Sequence, residues 1–402
     1  MKKHTRNKVV INGWYGHRNA GDDAILQVFI EQVLARLNCE IVVLSERPEH
    51  IRQTDDVSSI YHPQVSFKGF ISALLDGSFL RLLGTIRSCE LFILGGGGLL
   101  RDNTSWSNLI RLLDEIWLSK LFGRKVMLYA IGVGPFKSRL GKLVIGSSVK
   151  MCDLITVRSE KDAQLLREIG VAPERIHVVA DPAFLLQPEV PKDEKIIELL
   201  SGPKKIGVFP TFSLIMEGQD RIHVTRIAAA LDKLAKNDGL SFVVLPMQVC
   251  DAEMDDVEIA HAIRSAMKYP EALQIYEQRL TPSELKWATS NTRLNITLRL
   301  HAMIFSLGSN APVVAINYEP KVANVFAALN CSEYLVEMDE RLDSELASTV
   351  NRCLKNTDEY TDKISKINPE NRTSALRTFE LMQSLYVKAK PFNFVPINER
   401  HR

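Results

Sequence analysis

A chain of 402 residues is long enough for two domains of ordinary size, each with its own core. With 46% hydrophobic and 24% charged residues the composition is that of a soluble globular protein. Its 50 Lys and Arg against 48 Asp and Glu leave a net charge of +2, which excludes a global electrostatic pull toward nucleic acid. An anionic ligand must therefore be captured by local groups. The 6 cysteines show neither a C-x-x-C nor a Cys/His metal spacing, so no metal site is expected and the thiols are expected to be reduced. The start, MKKHTRNKVVING, is basic without an apolar core, and no run reaches about 18 apolar residues. A cytoplasmic protein is the expectation.

In chain order, Val9–Ile11 reads as a short strand running into Asn12-Gly13, and Ala24–Leu37 carries helical spacing in Ile25, Phe29, Val33 and Leu37. Ile41–Leu44 is the next strand. A helix is predicted from Phe67 to Arg87, broken near Asp76-Gly77, and the apolar strand Leu91–Leu94 ends in four consecutive glycines. Helix Trp106–Leu121, strand Val126–Ala130, helix Leu140–Met151, strand Leu154–Val157, helix Glu160–Ile169 and strand Ile176–Val179 follow. Buried-type strands alternating with helices predict a parallel sheet covered on both faces.

Prolines and charges at Gln187–Lys205 read as an interdomain segment, after which the alternation restarts. Strand Ile206–Phe209, helix Thr225–Ala235, strand Phe242–Pro246, helices Asp256–Met267 and Pro282–Ala288, and strand Val313–Ile316 are predicted, with a long polar helix Asp358–Val387 and a tail closing the chain. The expected fold class is α/β, in two halves facing a cleft: an N-terminal domain over 1–190, a C-terminal domain over 191–365, and a C-terminal helix and tail over 366–402.

Four stretches carry candidate chemistry. NGWYGHRNAGDDAI joins the first strand to the first helix; its glycine spacing is not the dinucleotide fingerprint, so Tyr15 and Asn19 are candidate ligand contacts and Asp22 a candidate N-cap. LGGGGLLRDNTS follows a strand without the Lys of a P-loop; Gly96 and Gly97 would leave backbone amides uncovered, and Asp102 is placed to meet sugar hydroxyls. Close packing of two loops explains the same glycines. Arg158 follows a strand at its carboxyl edge, with Ser159 and Asp162 at capping spacing, whereas Asp181-Pro182 is expected to shape a turn. The densest stretch is Arg293–Phe326: Arg299 and His301 would diverge by about 200° inside a helix, and line one site only if a helix begins there. With Lys321 they suggest an anion site.

Taken in order, the blocks NAGDDAIL, LGGGGLLRD, AIGVGP, ITVRSE, ADPAF, RLHAMIF and NYEPKV resemble the polysaccharide pyruvyl transferase family over residues 8 to 330. The resemblance implies a GT-B-like fold of two Rossmann-like domains, the first on the acceptor side and the second on the donor side. It implies phosphoenolpyruvate as donor and co-substrate, no separate cofactor, and as acceptor a lipid-linked cell-wall polysaccharide precursor carrying N-acetylmannosamine.

Phosphoenolpyruvate needs cations for a phosphate and a carboxylate, which Arg158, Arg299 and Lys321 supply, and ketal formation needs an acid/base near neutral pH, for which His301 is the candidate. Arg158, Arg299 and His301 are thus expected to be catalytic and, with Lys321, to bind the donor. Tyr15, Asn19, Gly96, Gly97 and Asp102 are expected on the acceptor. Trp14-Tyr15-Gly16-His17 departs from the aromatic turn usual in the family, and Pro246–Asp256 matches only loosely. A GT-B glycosyltransferase using a nucleotide-sugar and a non-catalytic polysaccharide-binding protein are the rival readings. A lipid-linked acceptor would bring the protein to the inner membrane leaflet, with Phe67–Arg87 as the candidate contact against an ordinary packed helix. Oligomerisation is left open.

Overall fold

A computed structural model of the chain describes residues 7–62, 75–101, 106–203, 205–211, 214, 222–250, 255–317, 320–328 and 331–389. These fall into two compact units, one comprising the chain up to Trp14, Ile30–Val178 and the chain from Arg377, the other Tyr15–Phe29 and Val179–Leu376.

Unit one is a seven-stranded sheet of β1 (Asn7–Asn12), β2 (Cys39–Ser45), β3 (Val57–Tyr61), β4 (Leu91–Gly95), β5 (Lys125–Ile131), β6 (Leu154–Val157) and β7 (Ile176–Val178), in spatial order β3-β2-β1-β4-β5-β6-β7. Every pairing is parallel. Such a sheet must be covered on both faces, which is why β4 and β6 are buried at every residue. Helix α1 (Ala20–Arg36) divides between the units after Phe29, and the helices of unit one itself are α2 (Ser78–Ser88), α3 (Trp106–Leu121), α4 (Arg139–Val149) and α5 (Glu160–Glu168). Val10, Val42, Phe92 and Leu128 share one core with Leu82 and Ile86 of α2, Leu113 and Ile116 of α3, Ile145 and Val149 of α4, and Leu166 of α5. The strand order reverses between β1 and β4, so Asn12 and Gly95 end at the switch point, where connections diverge and ligands of open α/β sheets bind.

Unit two repeats the plan with β8 (Ile206–Phe209), β9 (Phe242–Val244), β10 (Leu273–Ile275), β11 (Leu294–Thr297), β12 (Val313–Asn317) and β13 (Leu335–Glu337), ordered β10-β9-β8-β11-β12-β13 and again all parallel. Its helices are α6 (Glu194–Leu200), α7 (Ile222–Asp238), α8 (Asp256–Ala266), α9 (Pro282–Ser290), α10 (Leu300–Gly308), α11 (Pro320–Ala328) and α12 (Leu342–Lys355). The switch point lies between β8 and β11. A last helix, α13 (Thr357–Ala389), divides between the units at Leu376; in unit two Tyr360 Oη donates to Val313 O at 2.8 Å, and in unit one Phe379 packs against Tyr129 with ring centroids 5.6 Å apart. Both sheets are of the Rossmann type expected from the sequence.

Four strands (β3, β10, β11 and β13) and three helices (α6, α11 and α12) escaped the sequence reading, and α10 entered it only as a condition. β3, β10 and β13 stand at sheet edges, where a strand of three to five residues carries little apolar signal. α6 interrupts the segment read as a linker, its start capped by the Asp193 side chain accepting from Lys195 N–H. α12 lies in a stretch for which no element was predicted. Among the described residues no helix is long and apolar enough to cross a membrane.

Candidate active site

At the switch point of unit two, Thr297 ends β11 and its Oγ1 accepts from Arg299 N–H at 2.9 Å. That bond turns the chain, leaves Arg299 extended at φ −95° and ψ 123°, and lets α10 begin at Leu300. The helix thus starts where Arg299 and His301 need it to: Arg299 stands before the first turn and His301 within it. Ala302 to Leu307 are buried, so the apolar body of α10 fixes both polar residues at its half-buried start.

Arg299 is held on two sides. Its Nη2 pairs with Asp256, the fully buried first residue of α8, and its Nε donates to Pro210 O at 3.4 Å, just beyond β8. Asp256 Oδ2 also accepts from Met247 N–H at 3.1 Å and Gln248 N–H at 3.0 Å. A buried carboxylate needs such partners, because removing it from water costs several kcal/mol. The arginine predicted to meet a substrate anion therefore has its orientation set by a buried ion pair.

His301 is held by a close approach. A β-carbon on Gly21 would stand 2.0 Å from its Nδ1, so only glycine admits the imidazole against the start of α1. That helix start belongs to unit two through specific bonds: Ala20 N–H donates to Met247 O at 2.9 Å, Gln27 Nε2 to Ser283 Oγ at 3.0 Å, and Arg279 pairs with Asp23 at 2.9 Å. The cap is Asn19, whose Oδ1 accepts from Gly21 N–H at 3.0 Å. Asp22, the expected cap, lies inside the first turn because the helix begins at Ala20.

On its other nitrogen His301 faces a residue assigned only a turn-shaping role from sequence. Asp181 does shape a turn, its Oδ1 accepting from Ala183 N–H at 2.9 Å to cap the 3-10 segment Pro182–Leu185. Its Oδ2 also lies 3.7 Å from His301 Nε2, within ion-pair reach and beyond a hydrogen bond. Among the described residues His301 Nε2 is buried without a hydrogen-bond partner. Tyr15 is fully buried too; its phenol is pushed well above the usual range by burial first, then by the negative charges of Asp22, Asp181 and Asp23, so it stays protonated at neutral pH. An imidazole between a glycine wall and a carboxylate can exchange a proton.

The remaining candidates lie elsewhere. Gly96 and Gly97 belong to unit one, with φ 79° and 87° that other residues rarely adopt. Gly96 N–H is not uncovered as expected: it donates to Tyr129 O at 2.9 Å, while Gly97 O accepts from Gly132 N–H at 2.9 Å. Arg158 follows β6 and its Nη2 lies against Gly132, where an added β-carbon would stand 2.8 Å from it. Ser159 caps α5 as predicted, accepting from Asp162 N–H at 3.1 Å. Lys321 is the second residue of α11, with its side chain outside the described structure, and Asp102 lies outside the described residues. Unit two thus gathers Tyr15, Asn19, Arg299 and His301, and unit one gathers Gly96, Gly97 and Arg158.

Sequence reasoning also missed a buried polar cluster at the strand ends of unit one. Asn12 Nδ2 donates to Glu115, His62 Nε2 lies 2.6 Å from Glu115 Oε1, and Arg111 pairs with Glu46. Burial would lower the His62 imidazole, but the Glu115 carboxylate overrides it and the net direction is up. Asp114 is pushed up to about 7 by burial, then by the charge of Glu115. The signal lay in Arg111, Asp114 and Glu115 set among the leucines and isoleucines in the middle of α3.

Two Rossmann-like units define a GT-B-like protein. Solved structures with this fold include a putative UDP-N-acetylglucosamine 2-epimerase from Listeria monocytogenes, with TM-score 0.63, 14% identity and coverage of 97% of this chain and 100% of that one. Another is S. aureus MnaA, solved with UDP, with TM-score 0.62, 12% identity and coverage of 97% and 100%. A third is HepE of Anabaena, also solved with UDP, with TM-score 0.61, 12% identity and coverage of 95% and 100%. The model of the polysaccharide pyruvyl transferase family matches residues 19–320, and the chain belongs to that family. It is similar to AmsJ, an amylovoran biosynthesis protein of Erwinia amylovora, with 20% identity over 409 aligned positions covering 91% of this chain and 96% of AmsJ. The protein is a transferase of polysaccharide biosynthesis.

Proposed function

We propose that the protein moves the pyruvyl group of phosphoenolpyruvate onto two hydroxyls of one sugar, forming a cyclic ketal. The acceptor of this reading is N-acetylmannosamine in a lipid-linked precursor of a secondary cell-wall polysaccharide, met at the cytoplasmic face of the membrane. The observation that carries it is His301, wedged on Gly21 with Nε2 turned to Asp181 at the switch point of unit two.

In the first step one acceptor hydroxyl adds to C2 of phosphoenolpyruvate while a proton is delivered to C3, which becomes the methyl group. In the second, the other hydroxyl attacks C2 and inorganic phosphate leaves, closing the ring. Two hydroxyl protons are given up and one is kept on C3, so a group that accepts and returns protons is required, and His301, facing Asp181 Oδ2 at 3.7 Å, is assigned that role. Arg299, oriented by Asp256, supplies a cation of the kind often contributing about 3 kcal/mol per donor to the transition state, and Arg158 is assigned a like role from its place in the motif ITVRSE. Lys321 is assigned the same role from its place in the motif NYEPKV.

The test is incubation of the protein with phosphoenolpyruvate and a synthetic lipid-linked N-acetylmannosamine disaccharide, followed by product mass and phosphate release. A pyruvylated product with one phosphate per turnover supports the reading. Thermal stabilisation by UDP or GDP and none by phosphoenolpyruvate would sink it in favour of nucleotide-sugar chemistry.

A further inference from the structure

Helices α2, α3 and α4 lie side by side on one face of the first sheet, with Leu82, Ile116 and Ile145 among the side chains they turn inward. A helix covering a sheet ordinarily turns a polar face to solvent. α3 and α4 do not. Trp106, Ile110, Trp117 and Leu121 recur at intervals of four and seven along α3, which places them on one stripe, and Leu140 and Leu143 project from α4. Leu121 is 78% exposed, Leu143 66% and Leu140 58%. Trp117 Nε1 donates to Ser148 Oγ at 2.9 Å, which joins the stripe to α4. Six large apolar side chains on two adjacent helices make a patch, and a patch of this kind marks an interaction surface.

Charge identifies what it fits. The three helices carry Arg81, Arg87, Arg111, Lys120, Arg139 and Lys142 against only Asp114 and Glu115. Glu115 is fully buried, taken up by His62 and Asn12, Arg111 is turned inward to Glu46, and Lys120 pairs with Asp153 at 2.8 Å. Arg81, Arg87, Arg139 and Lys142 are exposed. The outer rim is thus cationic. Two copies of this face would bring like charges together, whereas an anionic bilayer presents phosphates to the cations and an acyl boundary to the tryptophans and leucines.

We propose that the α3–α4 face is a peripheral docking surface for an anionic lipid bilayer. Its apolar stripe enters the headgroup boundary, and Arg139 and Lys142, with Arg81 and Arg87 of α2, meet lipid phosphates. Of the segment expected from sequence, Phe67–Leu74 lies outside the described residues, and α2 contributes Leu80 and its two arginines to the rim. The inference is independent of the pyruvyl chemistry, and either can fail alone.

The experiment is flotation of the full chain with vesicles of phosphatidylglycerol and phosphatidylcholine in equal parts, against phosphatidylcholine alone, at low salt. The protein should float only with the anionic vesicles, and lipids brominated in the acyl chain should quench its tryptophan emission. Arg139→Ala/Lys142→Ala should lower partitioning about 25-fold, at roughly five-fold per cation. Leu121→Ser/Leu143→Ser should lower it as well, with the melting temperature kept because both side chains are exposed. Protein that stays at the bottom with anionic vesicles, or double variants that float like wild type, overturn the proposal. So does a dimer in sedimentation that Leu121→Ser/Leu143→Ser dissociates, because the patch then belongs to a second copy.

Discussion

Gly21 and His301 are separated by 280 positions and touch: the nearest atoms to a β-carbon at 21 are Nδ1, Cγ and Cβ of that histidine, at 2.0, 2.4 and 2.8 Å. The glycine of NAGDDAIL and the histidine of RLHAMIF are two halves of one contact. A family motif at the start of the chain thereby has a physical reason: it is the wall against which the imidazole rests.

Gly21→Ala should therefore act as a displaced histidine. All three nearest atoms belong to a side chain that can rotate away, so overpacking should cost about 1–3 kcal/mol and leave the fold intact. Catalysis should fall about 100-fold, the usual result of moving a reacting group by about 1 Å. The double variant Gly21→Ala/His301→Ala should recover the stability and be no slower than His301→Ala alone, because the two substitutions remove the same function. Thermal melts and ketal-formation rates on the four proteins of this cycle check it; additive rate losses would show that Gly21 acts on something else.

Asp181→Asn separates the two roles of that residue. An asparagine oxygen can still accept from Ala183 N–H and cap the 3-10 turn, so stability should change by less than about 1 kcal/mol. The negative charge beside His301 Nε2 is lost. The rate constant at saturating substrates should fall on the order of 100-fold, with little change in the Michaelis constant for phosphoenolpyruvate. An unchanged rate constant would leave Asp181 a turn residue, as its sequence context suggested.

Much of this arrangement was legible in the sequence. Alternating apolar strands gave the parallel sheets, and the placement of Arg299 before α10 with His301 inside it answers the geometric condition posed by their two-residue spacing. Partners remote in sequence were not legible. Asp256 reads as the start of a helix, and only the fold brings its carboxylate to Arg299. Tyr15 reads as an aromatic beside a ligand loop, yet the bonds of Ala20, Asp23 and Gln27 carry that loop into unit two, where the phenol is fully buried. Periodicity reports which face of an element is apolar and is silent on what lies across it.

Asp256→Asn should be the most damaging of the polar substitutions. The amide keeps at most part of the bonding to Met247 and Gln248 N–H and leaves the Arg299 guanidinium without its carboxylate. Breaking one partner out of a buried ion pair costs about 3–5 kcal/mol, against well under 1 kcal/mol for an exposed pair such as Lys366 with Asp362. Urea denaturation of Asp256→Asn and Asp362→Asn side by side measures the contrast, and equal midpoints would remove the claim that this pair holds the site.

The turn behind Asp181 is held by a buried lysine whose protonation should be visible in stability. Lys286 Nζ donates to Leu186 O at 2.8 Å, and Arg372 Nη1 donates to Phe184 O at 3.0 Å, so two cations serve the carbonyls that follow the Asp181 cap. Burial first, and the positive charge of Arg372 second, push the Lys286 amine down to about 7. In the unfolded chain its pKa is about 10.4. Between these values the unfolded chain binds a proton that the folded chain has released, so this group makes stability rise with pH. Below about 7 both states are protonated and the penalty of the buried charge is present in full. Lys286→Met loses a hydrogen bond at every pH and the pH-dependent part altogether. The stability of wild type relative to Lys286→Met should accordingly climb from pH 7 to pH 10, by up to about 1.4 kcal/mol per unit. Urea denaturation of both proteins at pH 6.5, 8 and 9.5 reads the difference directly, since the other titrating groups are shared and cancel. A constant gap across that range would mean that Lys286 keeps its proton in the folded protein, its charge satisfied by the carbonyls of Phe184 and Leu186 alone.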